Sequence, residues 1–253
     1  MSEGYPGDAT MKINRREVLA GLAACGYCFT ESDQERAERT DPTLYIPKAQ
    51  LVADRGLLHD FMDEHRFVEL ITSSPTLRIT HIPVLLDRTA GDYGKIYGHV
   101  SRQNPQSEAF DGRSTAVAVF RGPHGYISPA WFAKKDSVPT WNFAVVHASG
   151  RPVAITDKSR LHDILARLID SFEKYQGSGY DFSKLPEAYV SSLMEGIAGF
   201  EMPLDSLEGK FKLGQSWSDA DKEAALSHLR QEAAREASLY DFSRRFFQRT
   251  DKK

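Results

Sequence analysis

Cysteine is scarce in this chain of 253 residues: the two present, Cys25 and Cys28, lie close together near its start. With no cysteine after residue 28, the rest must fold on a hydrophobic core without disulfide staples, which a chain of this size can do. An excess of positive charge is missing too. Thirty-two Lys and Arg against 35 Asp and Glu leave a net charge of −3, and the sequence pI is about 6.3. That balance argues against a protein built to grip duplex DNA, although it leaves room for a small basic patch. Beyond residue 30 there is no apolar run long enough to span a bilayer, so the rest reads as a soluble domain. Also lacking are G-x-S-x-G, a Walker loop, H-E-x-x-H, a Rossmann glycine fingerprint and any internal repeat.

The first forty residues read as a leader. Lys12, Arg15 and Arg16 precede the apolar run VLAGLAACG, and a polar stretch follows, which is the layout of a signal peptide. NRREVLAG resembles a twin-arginine export signal, and Leu22-Ala23-Ala24-Cys25 resembles a lipoprotein cleavage box with Cys25 as the lipidated residue. The alternative is a short helix that is not cleaved. Because the signal pattern begins at Met11, either Met1 or Met11 serves as the start. The C-G-Y-C spacing of Cys25 and Cys28 is that of a redox pair, but no strand precedes it. A functional leader implies the periplasm or cell envelope; without one the expectation is the cytoplasm. Residues 31–43 are charged and read as a tether.

From about residue 41 to 253 the pattern is that of one domain, mainly β, of the α+β class. Leu57, Leu58, Phe61 and Met62 mark a helix, with His59, Asp63 and His65 expected on its wet face. Strand signals follow at 67–72, 76–87, 93–101, 115–120, 125–128, 141–149 and 152–155, at a spacing that favours an antiparallel barrel over βαβ units. Helices are expected from about residue 159, first at 159–175, then near 186–198 and at 219–242, with FEMPLD returning as a strand.

The segment YGHVSRQNPQ (97–106) stands out chemically. Alternation puts Tyr97, His99 and Ser101 on one face, with Arg102 and Asn104 just past the strand end. A hydroxyl, a guanidinium and an amide gathered there suit a phosphate, while a plain hairpin end with a surface arginine explains the same residues. Lys210 and Lys212 share a face if extended and serve phosphates as point charges. Arg78, Thr80 and His81 are polar in a strand that otherwise looks buried, and must find partners. In RGPHGYISPAWF (121–132), Tyr126 and Trp131, with Trp141 beyond, offer flat side chains. They form either a wall for the planar ring of a phosphorylated cofactor or simply core.

GHVSRQNPQ, VAVFRGPHGYISPAWF, VPTWNFAVVHASGR and IAGFEMPLDSLEGKFKLGQ, in that order and after a TLYIPK start, resemble the successive motifs of the PaiB family. Its members are FMN-binding split-barrel proteins described as negative transcriptional regulators. The resemblance runs from about Thr43 to Leu229. It implies an antiparallel FMN-binding split β-barrel with flanking helices and a helical C-terminal part, a homodimer, and FMN near the dimer interface. It further implies that Ser101 and Arg102 hold the phosphate. Thr80 and His81 match the family's T-H-x-P element, and Trp141 and Asn142 its P-T-W-N element. Lys210 and Lys212 match E-G-K-x-K-L, so that Asn104, Tyr126 and these residues complete the candidate cofactor set. Three features depart from the family: the leader, Gly214-Gln215-Ser216-Trp217 in place of an ending with a basic residue, and the Arg244–Arg249 tail, a solvated terminus or a contact for anionic lipid.

Three functions follow from these readings. The first is a flavin-dependent redox protein, with no catalytic set assigned and no electron donor or substrate identified. The second is a transcriptional regulator, at odds with the charge and the leader. The third is a split barrel for haem or another flavin-like cofactor, for which His81, His99, His124 and His147 are available.

Overall fold

In the computed structural model the described residues are 42–132 and 137–231, together with 244 and 247. The leader with Cys25 and Cys28, the rest of the helix expected to 242 and most of the arginine tail lie outside them.

The strands come from alternation. In β2 (Phe67–Thr72), Val68, Leu70 and Thr72 point inward and Phe67, Glu69 and Ile71 outward. β3 (Arg78–Pro83) and β4 (Leu85–Asp87) follow, then β5 (Lys95–Ser101). The two segments expected at 115–120 and 125–128 are one strand, β6 (Ala116–Ile127), whose register with β7 (Thr140–Gly150) shifts between Arg121 and His124. A bulge around Gly122 and Pro123 bends the strand, which is why its two halves read as separate. A Cβ on Gly122 would lie 2.6 Å from the ring of Phe61, so this bend takes a residue with no side chain. The short β1 (Leu51–Val52) and β8 (Val153–Ala154) both pair with β9 (Ile197–Lys212).

β9 closes the sheet. Its first half pairs with β5 and its second half with β7, giving the antiparallel order β3-β2-β6-β7-β9-β5-β4. The inward faces meet in one core that contains Leu70, Ile96, Phe120, Phe200, Met202 and Phe211, none more than 2% exposed. Burying an aromatic or aliphatic side chain of this size contributes about 1.5–3 kcal/mol.

α1 (Arg55–Glu64) covers one end of this core through Leu58, Phe61 and Met62, its N-terminus capped by Asp54 accepting from Leu57 N. His59 departs from the wet face expected for it. It is 5% exposed, and its Nε2 meets the Tyr93 carbonyl at 3.0 Å. Asp63 does face outward, where it pairs with Arg88. α2 (Lys158–Gln176) starts at the Asp157 cap and ends at Gly177, with φ +63°. Leu161 of α2 joins Phe182, Val190 and Met194 in a second small core with α3 (Glu187–Met194). α4 (Asp219–Gln231) is the described part of the last helix.

Candidate functional site

The end of β5 is organised by hydrogen bonds that spacing alone could not reveal. Asn104 caps a 3-10 turn, Pro105–Ala109, by accepting from Gln106 N. Its Nδ2 donates to Thr80 Oγ1 at 2.9 Å, and Thr80 in turn donates to Gln106 Oε1. Gln106 is fully buried, and its Nε2 reaches the Leu70 carbonyl at 2.9 Å. This network fastens β3 to the turn after β5, and it occupies the Thr80 hydroxyl, the Asn104 Oδ1 and one N–H of the Asn104 amide. Both residues thereby position the site. Gln106 was passed over because a glutamine after Asn-Pro looks like any turn residue until its burial is seen.

What remains free lies between them. Arg102 N donates to the Gly196 carbonyl at 2.9 Å, and its Nε donates to the Glu195 carbonyl. Neither terminal guanidinium nitrogen has a hydrogen-bond partner among the described residues. Ser101 Oγ accepts from Gln103 N at 3.3 Å, so its own proton is also available. The Glu195 carboxylate is held by Lys158, and this ion pair keeps its pKa below the usual carboxylate range, with Arg102 contributing. An exposed guanidinium edge next to an uncommitted hydroxyl, with the nearby carboxylate already paired, is a donor set that fits a phosphate.

His81 lies on the outer face of β3, its side chain 56% exposed, 3.9 Å from Glu69 and stacked at 6.3 Å against Phe67. The outer face continues across the sheet in cross-strand rows. Ile79, Ile71, Val117 and Ser149 make one row, and His81, Glu69, Val119, His147 and Glu208 the next. Phe67 and Ile79 are 65% and 54% exposed, large values for such residues.

The remaining candidates lie elsewhere. Thr80, Leu70, Ala118 and Ala148 are successive partners on β3, β2, β6 and β7, and Asn142 lies at the far end of β7. At about 3.4 Å per residue, Ala148 to Asn142 alone is about 20 Å. One chain therefore does not gather Asn142 and Arg102 around one ring. Trp141 and Tyr126 are exposed neighbours on β7 and β6, 6.2 Å apart edge to face, and Trp141 Nε1 donates to His124 Nδ1. Trp131, the third aromatic considered for the ring wall, packs against the core and stacks on His228 at 5.0 Å. Lys210 donates to the Tyr45 carbonyl at 2.8 Å and Lys212 to Thr140 Oγ1. The TLYIPK start thus meets the EGKFKL stretch directly, an engagement for Lys210 that needs no ligand.

His99, His124 and His147 are spread over β5, β6 and β7. Burial lowers the pKa of His99. It also lowers that of His147, against the charge of Glu208. Thr43 Oγ1 spends its proton on Glu208, so His147 Nδ1, 2.9 Å away, is the donor to Thr43.

A curled antiparallel sheet closed by one long strand, with phosphate-type donors at a strand end, defines a split-barrel protein of the flavin-binding class. Residues 44–206 match the family described as "Putative FMN-binding domain", and the chain belongs to that family. Its relatives bear out the PaiB resemblance. Over 190 residues it is 29% identical to Protease synthase and sporulation protein PAI 2 of Bacillus subtilis (strain 168), covering 75% of this chain and 90% of that protein. It is 28% identical over 189 residues to uncharacterized protein AN0679 of Emericella nidulans, covering 60% of this chain and 75% of that one. The flavocytochrome Anf3 of Azotobacter vinelandii shares the fold, with a TM-score of 0.53 at 15% identity over 73% of this chain and 80% of that chain. FMN, the cofactor expected from the motifs, is the one that describes the family.

Proposed function

We propose that the protein is an FMN-dependent redox protein that works as a homodimer, with the cofactor's phosphate held by Ser101 and Arg102. The observation that carries this reading is the uncommitted pair of donors at the end of β5: the guanidinium edge of Arg102 and the Ser101 hydroxyl. Thr80, Asn104 and Gln106 hold that corner rigid, so the donors are ordered before a ligand arrives, which lowers the cost of binding. His81 borders the corner on the exposed face of β3. When bound, FMN supplies the redox chemistry through its ring, and the protein positions and shields it.

The exposed face of β2, β3, β6 and β7 supports a second copy as the partner. Its rows combine apolar residues with charges of both signs, Glu69 already pairing with Arg121, which suits the self-matching contact of a two-fold dimer. Tyr126 and Trp141 of that second copy are then the aromatic residues assigned to the flavin ring, since they lie far from Arg102 of their own chain. The leader supports export to the cell envelope after folding, and Arg15→Lys with Arg16→Lys should then keep the protein in the cytoplasmic fraction.

Flavin fluorescence titration tests the phosphate assignment. Charge-assisted hydrogen bonds contribute about 1.5–3 kcal/mol, so Arg102→Ala should weaken FMN binding roughly tenfold to a hundredfold. Unchanged affinity would sink the assignment. Regulation of transcription is not preferred, because a net charge of −3 is opposite in sign to a DNA-binding footprint.

A further inference from the structure

Arg102 rests on the Glu195-Gly196 link between α3 and β9, with its backbone N on the Gly196 carbonyl and its Nε on the Glu195 carbonyl. The residue that orients the guanidinium through its carbonyl therefore also carries a carboxylate beside it. That side chain is 60% exposed and is not confined by packing. To a guanidinium, a carboxylate resembles a phosphate, since both accept its paired N–H donors. Turned onto the free edge of Arg102, the Glu195 carboxylate would occupy the donors that a phosphate needs. It is held instead by Lys158, the first residue of α2, whose Nζ donates to Glu195 Oε1.

Fold stability does not account for Lys158. The side chains of this ion pair are 77% and 60% exposed, and such pairs contribute little to folding. The first turn of α2 contains no acidic residue, and Lys158 puts a cation at the end where the helix dipole favours an anion. The same end of α2 already has a less exposed tie to β9, because Arg160 pairs with Glu201, whose side chain is 16% exposed. Hydrogen bonding to Lys158 is the main cause of the lowered pKa of Glu195, and the charge of Arg102 adds to it. The carboxylate is thus ionised at neutral pH and lies in the field of two cations, of which Lys158 has it.

We propose that Lys158 is a positioning residue for the phosphate site, keeping the Glu195 carboxylate off the free edge of Arg102 so that this edge stays open to a phosphate. The inference rests on the assignment of the FMN phosphate to Ser101 and Arg102. Without the Lys158 charge, Glu195 turns to Arg102, competes for its donors and repels the incoming phosphate.

The test is FMN titration of the full chain by flavin fluorescence at low ionic strength, where exposed charges act most strongly. Lys158→Met should weaken FMN binding roughly twofold to fivefold, the range of an exposed ion pair, with Tm unchanged. Lys158→Arg should keep the wild-type affinity. Adding Glu195→Gln to Lys158→Met should restore it, because the competing carboxylate is gone while the Glu195 carbonyl contact is a backbone one. Unchanged affinity in Lys158→Met overturns the proposal. So does a double variant that fails to recover, which would make Lys158 a direct ligand of the phosphate. Arg102→Ala, measured alongside, separates the two accounts. If it keeps FMN, the phosphate assignment fails and this inference falls with it. If it loses FMN while Lys158→Met does not weaken, only the role of Lys158 is wrong.

Discussion

At the end of β5, neighbouring residues divide two tasks that look alike in the sequence. Thr80, Asn104 and Gln106 spend their polar atoms on one another and on the β2 backbone. Ser101 keeps its hydroxyl proton, and Arg102 its terminal guanidinium nitrogens, for solvent or a ligand. Thr80→Val should therefore disturb the site indirectly, lowering stability by about 1–3 kcal/mol as Gln106 and Asn104 lose a partner. It should weaken FMN binding less than Arg102→Ala does, and the two effects separate in paired melting and titration experiments.

The buried histidines give the residue scale a pH signature. Burial lowers the folded-state pKa of His99 and His147 below the ordinary value of about 6.5. Below that value the unfolded chain takes up protons that the folded chain refuses, so stability falls with pH. Their contribution is complete above about pH 6.5 and is lost as pH drops from there through the lowered folded values. Melting temperatures measured from about pH 5 to pH 8 should decline on the acid side, and His99→Gln should flatten that decline. A rise in Tm on acidification through this range would contradict the assignment.

Among the elements, β6 shows best how a local sequence carries a long-range demand. The bulge at Gly122 brings backbone against the Phe61 ring, with a Cβ position 2.6 Å from it. Gly122→Ala should destabilise the protein by about 1–3 kcal/mol through overpacking, read as a lower denaturation midpoint with an unchanged slope. Wild-type stability in that variant would show that α1 can shift freely. Most strands were legible because alternation and turn residues mark them locally, and the helix expected at 159–175 was legible from its apolar stripe. The joining of 115–120 and 125–128 was not, since a bulge inserts turn-like residues into a continuous ladder. Nor was the burial of His59, because a polar residue among charges reads as exposed until its carbonyl partner is known. The site was half legible: Ser101 and Arg102 stood out by type and position. The division of labour with Thr80, Asn104 and Gln106, and the docking of Lys210 on Tyr45, depend on contacts between residues distant in sequence.

On the scale of the whole molecule, the outer sheet face and the distance between the two groups of candidate residues point the same way. Phe67 and Ile79 are exposed on a face whose rows balance charge. On the proposed reading, Trp141 and Tyr126 come to the flavin from a second copy. Ile79→Asp should shift the protein from dimer to monomer in analytical ultracentrifugation and weaken FMN binding with it, while leaving the barrel folded. A dimer that survives this change would move the interface elsewhere. Mixed dimers of Arg102→Ala and Trp141→Ala chains should regain one intact site, whereas neither variant alone should have any.

The most direct measurement is the absorption spectrum of the purified full chain after incubation with excess FMN and desalting, beside the Arg102→Ala variant treated alike. The account predicts that the wild type keeps a flavin spectrum and that Arg102→Ala, still folded by circular dichroism, loses most of it. A wild type that emerges colourless, or a variant that keeps its flavin in full, would contradict the assignment of the β5 corner as the cofactor's phosphate site.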